Sequence, residues 1–241
     1  MLIRKIFKKI VIGYKSSSDM YVKHLKKIGV DIGDDVVIYS PTKTFIDEQY
    51  PWMIKIGNSV RITEGVKILT HDYSWSVLKK YATENENAGE ILGASGEVII
   101  GDNVFIGMNS IITRNVTIGN NVIIGTGSVV TKDCKDDGVY VGVPAHRISS
   151  VSEYKEKRKR EQLKEAKTLA VKYYEKFKKR PEKEIFNEYF MLFESEEPQN
   201  KNFKRQLALC DNYDESISYM KENKPLFNNY EDFLKYCIGE E

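Results

Sequence analysis

Residues 99–130 read IIGDNVFIGMNSIITRNVTIGNNVIIGTGSVV, and this stretch decides the fold because it repeats with a fixed period. An aliphatic residue returns at every sixth position, at Ile100, Ile106, Ile112, Ile118, Ile124 and Val130. A small or β-branched residue stands four positions after each of the first five, at Val104, Ser110, Val116, Val122 and Ser128. The same register also occurs nearer the start of the chain, at Ile32, Ile56, Ile62 and Ile68. A short fixed period of this kind is typical of solenoid architectures.

The spacing has a direct structural interpretation. The fifth position of one hexad and the first of the next are two residues apart, and residues two apart in a strand share a face. Glycines beside the inward residues, such as Gly101 and Gly119, suit corners with unusual backbone dihedral angles. Each hexad is then a short strand with a corner, three hexads close a triangular coil, and coils stack about 4.8 Å apart as parallel strands. The sequence therefore predicts a mainly β protein, a parallel β-helix shaped as a triangular prism. A β-sandwich would not keep one register from Ile100 to Val130.

Outside the repeat the chain changes character. Residues 1–27 are expected to form an N-terminal helical segment, and residues 28–149 the β-helix domain. Residues 72–97 leave the register and are polar, which predicts an excursion loop, and long loops in compact folds are usually functional. Residues 150–241 are expected to be an α-helical C-terminal extension, because Lys, Glu and Arg are dense and aromatic residues then follow at helical spacing.

Composition removes several classes of function. The chain of 241 residues carries 37 basic and 35 acidic residues, and this balance gives no reason to expect nucleic-acid binding. No transmembrane segment and no secretory signal are expected, although an amphipathic helix at the start would allow peripheral membrane contact. Cys134, Cys210 and Cys237 form no metal or disulfide pattern, so a reducing, cytoplasmic compartment is expected.

Four stretches between Arg61 and Ile148 carry a family resemblance. They are residues 68–72 (ILTHD), 100–107 (IGDNVFIG), 125–133 (GTGSVVTKD) and 142–145 (GVPA). In this order and spacing they resemble the hexapeptide-repeat acyltransferases, and most of all the branch of galactoside, maltose and xenobiotic acetyltransferases and capsular-polysaccharide O-acetyltransferases. The resemblance implies a left-handed β-helix, acetyl-CoA as co-substrate, and a bacterial homotrimer with active sites in the grooves between adjacent prisms.

The resemblance implies His71 as the catalytic base. Acetyl transfer to a hydroxyl needs a base that accepts its proton. His24 lies in the N-terminal segment and His146 after the last coil, whereas His71 ends a repeat and opens the excursion loop. A zinc site, as related prisms use to hydrate carbon dioxide, would need three histidines around one metal. The other two histidines are expected to lie too far from the coil faces, so no metal is predicted.

The resemblance also assigns a coenzyme A site. Gly107 and Met108 would face the thioester, Thr126 would lie beside the pantetheine arm, and Thr131 and Lys132 would line the nucleotide end. The complete set of cofactor-binding candidates is Phe105, Gly107, Met108, Gly125, Thr126, Thr131, Lys132, Val143, Pro144, Ala145 and Arg147.

Two departures from the family pattern concern this site. Phe105 stands where tryptophan is common, which keeps an apolar wall and loses the indole N–H donor. His146 and Arg147 stand where one basic residue is usual, so the sequence leaves open which of them would meet the phosphates.

The surroundings of His71 are less determined. A carboxylate that fixes the tautomer improves a histidine base, and Asp72, Glu64 and Asp47 are all candidates. Asp72, Tyr73 and Trp75 follow in the loop and are candidate substrate-binding residues. Tyr73 and Trp75 could form a wall of the acceptor site, since sugars stack on exposed aromatic faces. The alternative for Tyr73 and Trp75 is that they pack the loop against the prism.

The sequence thus predicts an acetyl-CoA-dependent O-acetyltransferase that acts on a carbohydrate hydroxyl, in the modification of a capsule, lipopolysaccharide or exopolysaccharide. The alternative is N-acetylation of an amino sugar or nucleotide-linked amino sugar, because the same base and donor site serve both reactions. A non-catalytic scaffold is a further alternative, against which the His71 and coenzyme A motifs argue.

Overall fold

The structure is a computed structural model that describes residues 13–239. The predictions for residues 1–12, including the amphipathic surface for membrane contact, lie outside this range. The chain divides into two compact units, with the boundary between Tyr154 and Lys155. The first unit opens with helix α1 (Ser18–Ile28), where Ser17 accepts a hydrogen bond from the Met20 N–H and Gly29 ends the helix with a φ of 113°.

The remainder of the first unit is the parallel β-helix that the hexads predict, left-handed as the family resemblance implies. Its coils comprise β1 (Asp31–Ile32), β2 (Val37–Ile38) and β3 (Phe45–Ile46), then β4 (Ile54–Ile56), β5 (Arg61–Ile62) and β6 (Lys67–Ile68). After the hairpin strands β7 (His71–Asp72) and β8 (Ala94–Ser95) come β9 (Val98–Ile100), β10 (Val104–Ile106), β11 (Ile111–Ile112), β12 (Val116–Ile118), β13 (Val122–Ile124) and β14 (Val129–Val130). A hairpin of β15 (Gly138–Gly142) and β16 (Ala145–Ser150) closes the prism.

The strands stack into three faces. The first face is β1-β4-β9-β12, the second is β16-β15-β13-β10-β5-β2, and the third is β14-β11-β6-β3. Neighbouring coils pair parallel and in register, so that Ile56 and Ile118 both stand opposite Ile100. The first position of each hexad is buried in a continuous aliphatic core, to which α1 adds Tyr21 and Leu25. Stacking is required because no single coil could bury these side chains alone.

One edge of the prism, between the first and second faces, is regular, and we call it the polar edge. Asn120 accepts a hydrogen bond from the Asp102 N–H at 2.8 Å, and Asp136 accepts one from the Asn120 N–H at 2.9 Å. Asn103 and Asn121 turn these corners with positive φ angles of 54° and 53°, a conformation that asparagine tolerates better than most residues. Polar residues at this edge therefore accept hydrogen bonds from the backbone and adopt the backbone conformations that the corners need.

The edge between the third and first faces is broken twice by extra residues, and we call it the interrupted edge. Residues 47–53 leave the coil between β3 and β4, and residues 69–97 leave it between β6 and β9. The longer excursion contains the short helix α2 (Trp75–Leu78) and is held at its base by antiparallel pairing of His71 with Ser95 and of Asp72 with Ala94.

The second unit is helical, as predicted for the C-terminal extension. Helix α3 (Val151–Phe177) crosses the unit boundary and is followed by α4 (Lys201–Leu207), α5 (Tyr213–Glu222) and α6 (Tyr230–Ile238). Phe186, Phe190, Phe193, Phe203 and Phe233 form the buried centre of this unit. The first three do not lie on one helix, because 3-10 turns at Lys183–Phe186 and Phe190–Leu192 place them.

Among the helices in the described part of the chain, none has the length and apolar character needed to cross a bilayer.

Candidate active site

His71 and Asp47 meet at the interrupted edge because both follow strands of the third face, one coil apart. Ile46 stands opposite Ile68 in the parallel pair of β3 and β6, and the Asp47 N–H donates to the Ile68 carbonyl at 3.0 Å. The chain then leaves the prism at Thr70, and the His71 Nδ1 lies 2.5 Å from Asp47 Oδ2. The contact therefore follows from coil stacking and from where the two excursions begin.

Asp47 is a buried carboxylate with an almost complete set of hydrogen-bond donors. Its Oδ2 accepts from the Thr70 backbone N–H at 3.1 Å and the Thr70 hydroxyl at 2.5 Å, and its Oδ1 accepts from the Gln49 N–H at 3.0 Å. Burial raises the pKa of Asp47, but the hydrogen bonds from Thr70, Gln49 and His71 outweigh it and hold the pKa below its ordinary value of 3.8. An ionised Asp47 accepts a proton-bearing Nδ1, which leaves Nε2 of His71 as the proton acceptor.

The other two carboxylates that the sequence offered as partners of His71 are engaged elsewhere. Asp72 accepts from the Arg114 Nε at 2.9 Å, and hydrogen bonds from Ser74 and then Arg114 hold the pKa of Asp72 well below its usual range. Glu64 accepts from Lys43 at 2.6 Å and from Ser40 at 2.7 Å. Asp47 is thus the carboxylate in contact with His71, which resolves an alternative that the sequence left open.

A surface hollow lies directly beside His71. It runs along the interrupted edge over successive coils and is lined by Leu69, His71, Asp72, Thr113, Arg114, Asn115 and Thr131. Thr131, a predicted cofactor contact, therefore lies on the same edge as His71, and the exposed Lys132 follows it. Arg114 was not singled out from the sequence; its guanidinium places a positive charge in this hollow and fixes Asp72.

Another group of predicted cofactor contacts lies on the edge between the second and third faces. Met108 and Thr126 are exposed at this edge, one coil apart, and Phe105 is exposed on the adjoining strand β10 of the second face. A Cβ on Gly107 would lie 2.5 Å from the Thr126 nitrogen, and one on Gly125 would lie 2.6 Å from the Val141 Cγ1. Coil stacking alone therefore accounts for both glycines. Within one chain, the third face separates this group from His71.

The remaining cofactor candidates lie at the closing hairpin. Val143 and Pro144 form its exposed tip, joined by a cis peptide bond, and Ala145 packs against the core. Arg147 Nη2 donates to the Asp137 carbonyl at 3.0 Å, whereas His146 is exposed on the same strand.

Aromatic residues occur in both excursions of the interrupted edge, and one of them contacts His71. Tyr73 is exposed and Trp75 half-buried, with their ring centroids 4.5 Å apart. Tyr50 approaches the imidazole itself, with a centroid distance of 5.4 Å and an interplanar angle of 78°. Sequence reasoning missed Tyr50, although the break of register at residues 47–53 was a signal that could have found it.

The histidines do not converge on a metal site. In residues 13–239 no group of three or more His, Cys, Asp or Glu side chains is arranged to hold a metal ion. His24 stacks on Tyr14 at a centroid distance of 3.7 Å, and its Nε2 lies 3.1 Å from Glu48.

The chain is similar to known proteins in both sequence and structure. The family model for bacterial transferase hexapeptide (six repeats) matches residues 97–132, which span the coils of β9 to β14. Protein CapG of Staphylococcus aureus is 45% identical over 133 residues, 55% of this chain and 73% of that protein. A maltose O-acetyltransferase structure from Clostridium difficile is 28% identical over 55% of this chain and 75% of its own, with a TM-score of 0.42. A hexapeptide-repeat acetyltransferase from Vibrio cholerae, complexed with acetyl-CoA, is 21% identical over 61% of this chain and 84% of its own, with a TM-score of 0.41.

Proposed function

Because this chain belongs to the hexapeptide-repeat acetyltransferases, we propose that it transfers the acetyl group of acetyl-CoA to a carbohydrate hydroxyl, with His71 as general base. The observation that carries the proposal is the pair of His71 and a buried, ionised Asp47 beside an open hollow. A histidine held in one tautomer by a carboxylate is an arrangement that favours general-base catalysis.

The proposed reaction uses both nitrogens of His71. Nδ1 donates to Asp47, which orients the ring and stabilises the imidazolium that forms. Nε2 accepts the hydroxyl proton while the hydroxyl oxygen attacks the carbonyl carbon of the thioester. The carbon–sulfur bond then breaks, and the proton passes from Nε2 to the departing sulfur of coenzyme A. Asp47 acts as a positioning residue and keeps its charge throughout.

Acetyl-CoA is proposed to lie between two prisms of a homotrimer. Thr131 and Lys132 lie on the edge that carries His71, whereas Met108 and Thr126 lie on another edge of the same chain, next to Phe105 on the second face. In a groove between two subunits, one subunit would contribute the first set of residues and its neighbour the second, so that both sets contact the same acetyl-CoA molecule. The exposed Phe105 and Met108 supply the apolar surface that a pantetheine arm requires.

We place the acceptor in a surface polysaccharide and the reaction in the bacterial cytoplasm. The resemblance to capsular-polysaccharide O-acetyltransferases supports the acceptor class. The three cysteines, which form no disulfide, support a reducing compartment.

The test is thiol release from acetyl-CoA with a panel of methyl glycosides and their 2-amino analogues. His71→Asn keeps an N–H toward Asp47 but has no basic nitrogen, so turnover should fall on the order of 10²–10⁴-fold. The matched control is His24→Asn, which removes the other histidine that contacts a carboxylate and should leave turnover near wild type. Near-normal turnover of His71→Asn would remove His71 from the mechanism.

The product separates the two acetylation chemistries. An ester formed on a hydroxyl is cleaved by mild alkali, whereas an amide formed on an amine survives it. Acetylation that resists alkali and occurs only with the amino analogues would replace O-acetylation by N-acetylation of an amino sugar.

A further inference from the structure

We propose that Tyr50 and Trp52 form a saccharide-stacking subsite that contacts the sugar next to the one that is acetylated. This inference rests on the proposed function and names a part of the acceptor site that the hexad pattern does not contain. It concerns residues 47–53, the shorter excursion of the interrupted edge, which begins with Asp47.

The backbone of this excursion is fixed at both ends. Asp47 donates its N–H to the Ile68 carbonyl at 3.0 Å, and Ile54 pairs with Val98 in the first face. Between them, Pro51 is buried and the Met53 N–H donates to the Tyr50 carbonyl at 3.0 Å, which closes a 3-10 turn. The aromatic side chains of the turn are therefore carried on a preorganised backbone.

The two rings form a series that starts at the base. Tyr50 lies edge-on to the His71 imidazole, at 5.4 Å between centroids, and Trp52 follows at 5.8 Å from Tyr50 and 64° to it. Taken together, these 5.4 Å and 5.8 Å steps place the indole no more than about 11 Å from the imidazole. A span up to this limit is compatible with the sugar next to the one whose hydroxyl meets His71.

Exposure shows that Trp52 is not a packing residue within its own chain. Its side chain is 70% exposed, although an indole is among the side chains with most to gain from burial. A rigid, exposed aromatic face beside a catalytic group offers a platform to the apolar C–H face of a pyranose. Tyr73 and Trp75, which the sequence suggested for this role, have each other as the nearest ring partner, at 4.5 Å.

Kinetics with matched acceptors tests the subsite. Trp52→Ala should raise KM roughly tenfold for tetrasaccharides, the scale of one lost aromatic contact, and leave kcat unchanged. KM for the corresponding methyl monosaccharides should not change. The control is Leu226→Ala, which removes another highly exposed apolar side chain, in the second unit. Equal KM values for Trp52→Ala and wild type on every tetrasaccharide would overturn the subsite and leave the proposed function standing.

A binding measurement separates this inference from the transfer reaction. Gluco-, galacto-, manno- and 2-acetamido-tetrasaccharides, titrated without acetyl-CoA, should change the tryptophan fluorescence of the wild-type protein, and Trp52→Phe should abolish the change. A signal that persists in Trp52→Phe would assign the contact to Trp75 and overturn the proposal, as would no signal with any tetrasaccharide. A Trp52→Ala protein with a smaller oligomer mass would show instead that the indole is a subunit contact.

Discussion

The polar edge and the interrupted edge of the same prism use polar residues for opposite purposes. At the polar edge, Asn120 and Asp136 recur at equivalent corners of successive coils, and each accepts a hydrogen bond from the backbone of the preceding coil. At the interrupted edge, Asp47 and His71 occur where the repeat stops, and they bond to each other. A polar residue that keeps the period supports the coil, whereas a polar residue at a break is available for chemistry.

Burial follows the same division. Asn120 and Asp136 are exposed, so water competes for their hydrogen bonds. Asp47 is buried to 2% exposure, where a carboxylate is costly unless it is fully hydrogen-bonded. The interrupted edge therefore keeps a costly buried charge, and its hydrogen bonds to Thr70 and His71 compensate for that cost.

Destroying the prism should eliminate both edges together. Ile118→Asp places a carboxylate in the core at a position with 0% exposure, which costs several kcal/mol because the charge has no partner there. We expect loss of the cooperative thermal transition in circular dichroism. Ile111→Asp is the control, since this side chain points outward and stands opposite Lys67. A wild-type melting temperature for Ile118→Asp would contradict the inward register.

A milder change should affect only the interrupted edge. Asp47→Asn removes the charge that fixes the tautomer of His71 and stabilises its imidazolium, so turnover should fall on the order of 10²–10⁴-fold. Glu48→Gln is the matched control, because Glu48 contacts His24 in a second histidine–carboxylate pair at 3.1 Å. Equal turnover of the two variants would mean that Asp47 has a structural role alone.

The polar edge should show the reverse behaviour. Asn120→Ala removes the acceptor of the Asp102 N–H, so the free energy of unfolding should fall by about 0.5–1.5 kcal/mol while kcat stays at the wild-type value. Urea titration and the acetyl transfer assay measure the two quantities on the same preparation. A fall in kcat at unchanged stability would contradict the division between the edges.

The sequence predicts the prism well because its core is periodic. Each hexad aliphatic from Ile100 to Val130 is buried, and the position of His71, three residues after β6 ends at Ile68, follows from the same register. Local spacing was sufficient here, since each coil contacts mainly its neighbours.

The partner of His71 was hidden by a small irregularity. The corner between β2 and β3 spans residues 39–44, two residues longer than the equivalent corner at 63–66, so Ile46 falls outside the six-residue register. Without Ile46 as a strand residue, Asp47 cannot be placed one coil from Ile68. The Phe186 and Phe233 contact in the second unit was hidden for a different reason, because it joins residues distant in sequence with no period between them.

The smallest expected effect is the pH dependence of the stability that the charge of Asp47 provides at the interrupted edge. Hydrogen bonds hold the pKa of Asp47 below 3.8, so the ionised form is favoured in the folded state relative to the unfolded state. The stability that this provides is complete above the unfolded pKa and is lost as pH falls through the folded pKa. We therefore expect the difference in unfolding free energy between wild type and Asp47→Asn to be constant from pH 7 to about 5 and to shrink below pH 4. Thr70→Val removes one hydrogen-bond donor to Asp47, so the pKa of Asp47 in the folded protein should move back toward 3.8. When the effect of Asp47→Asn is measured in the Thr70→Val protein, the difference in unfolding free energy should therefore begin to shrink at a higher pH than in wild type. A difference that grows on acidification would mean that Asp47 is protonated in the folded protein, and His71 would then have no charged partner.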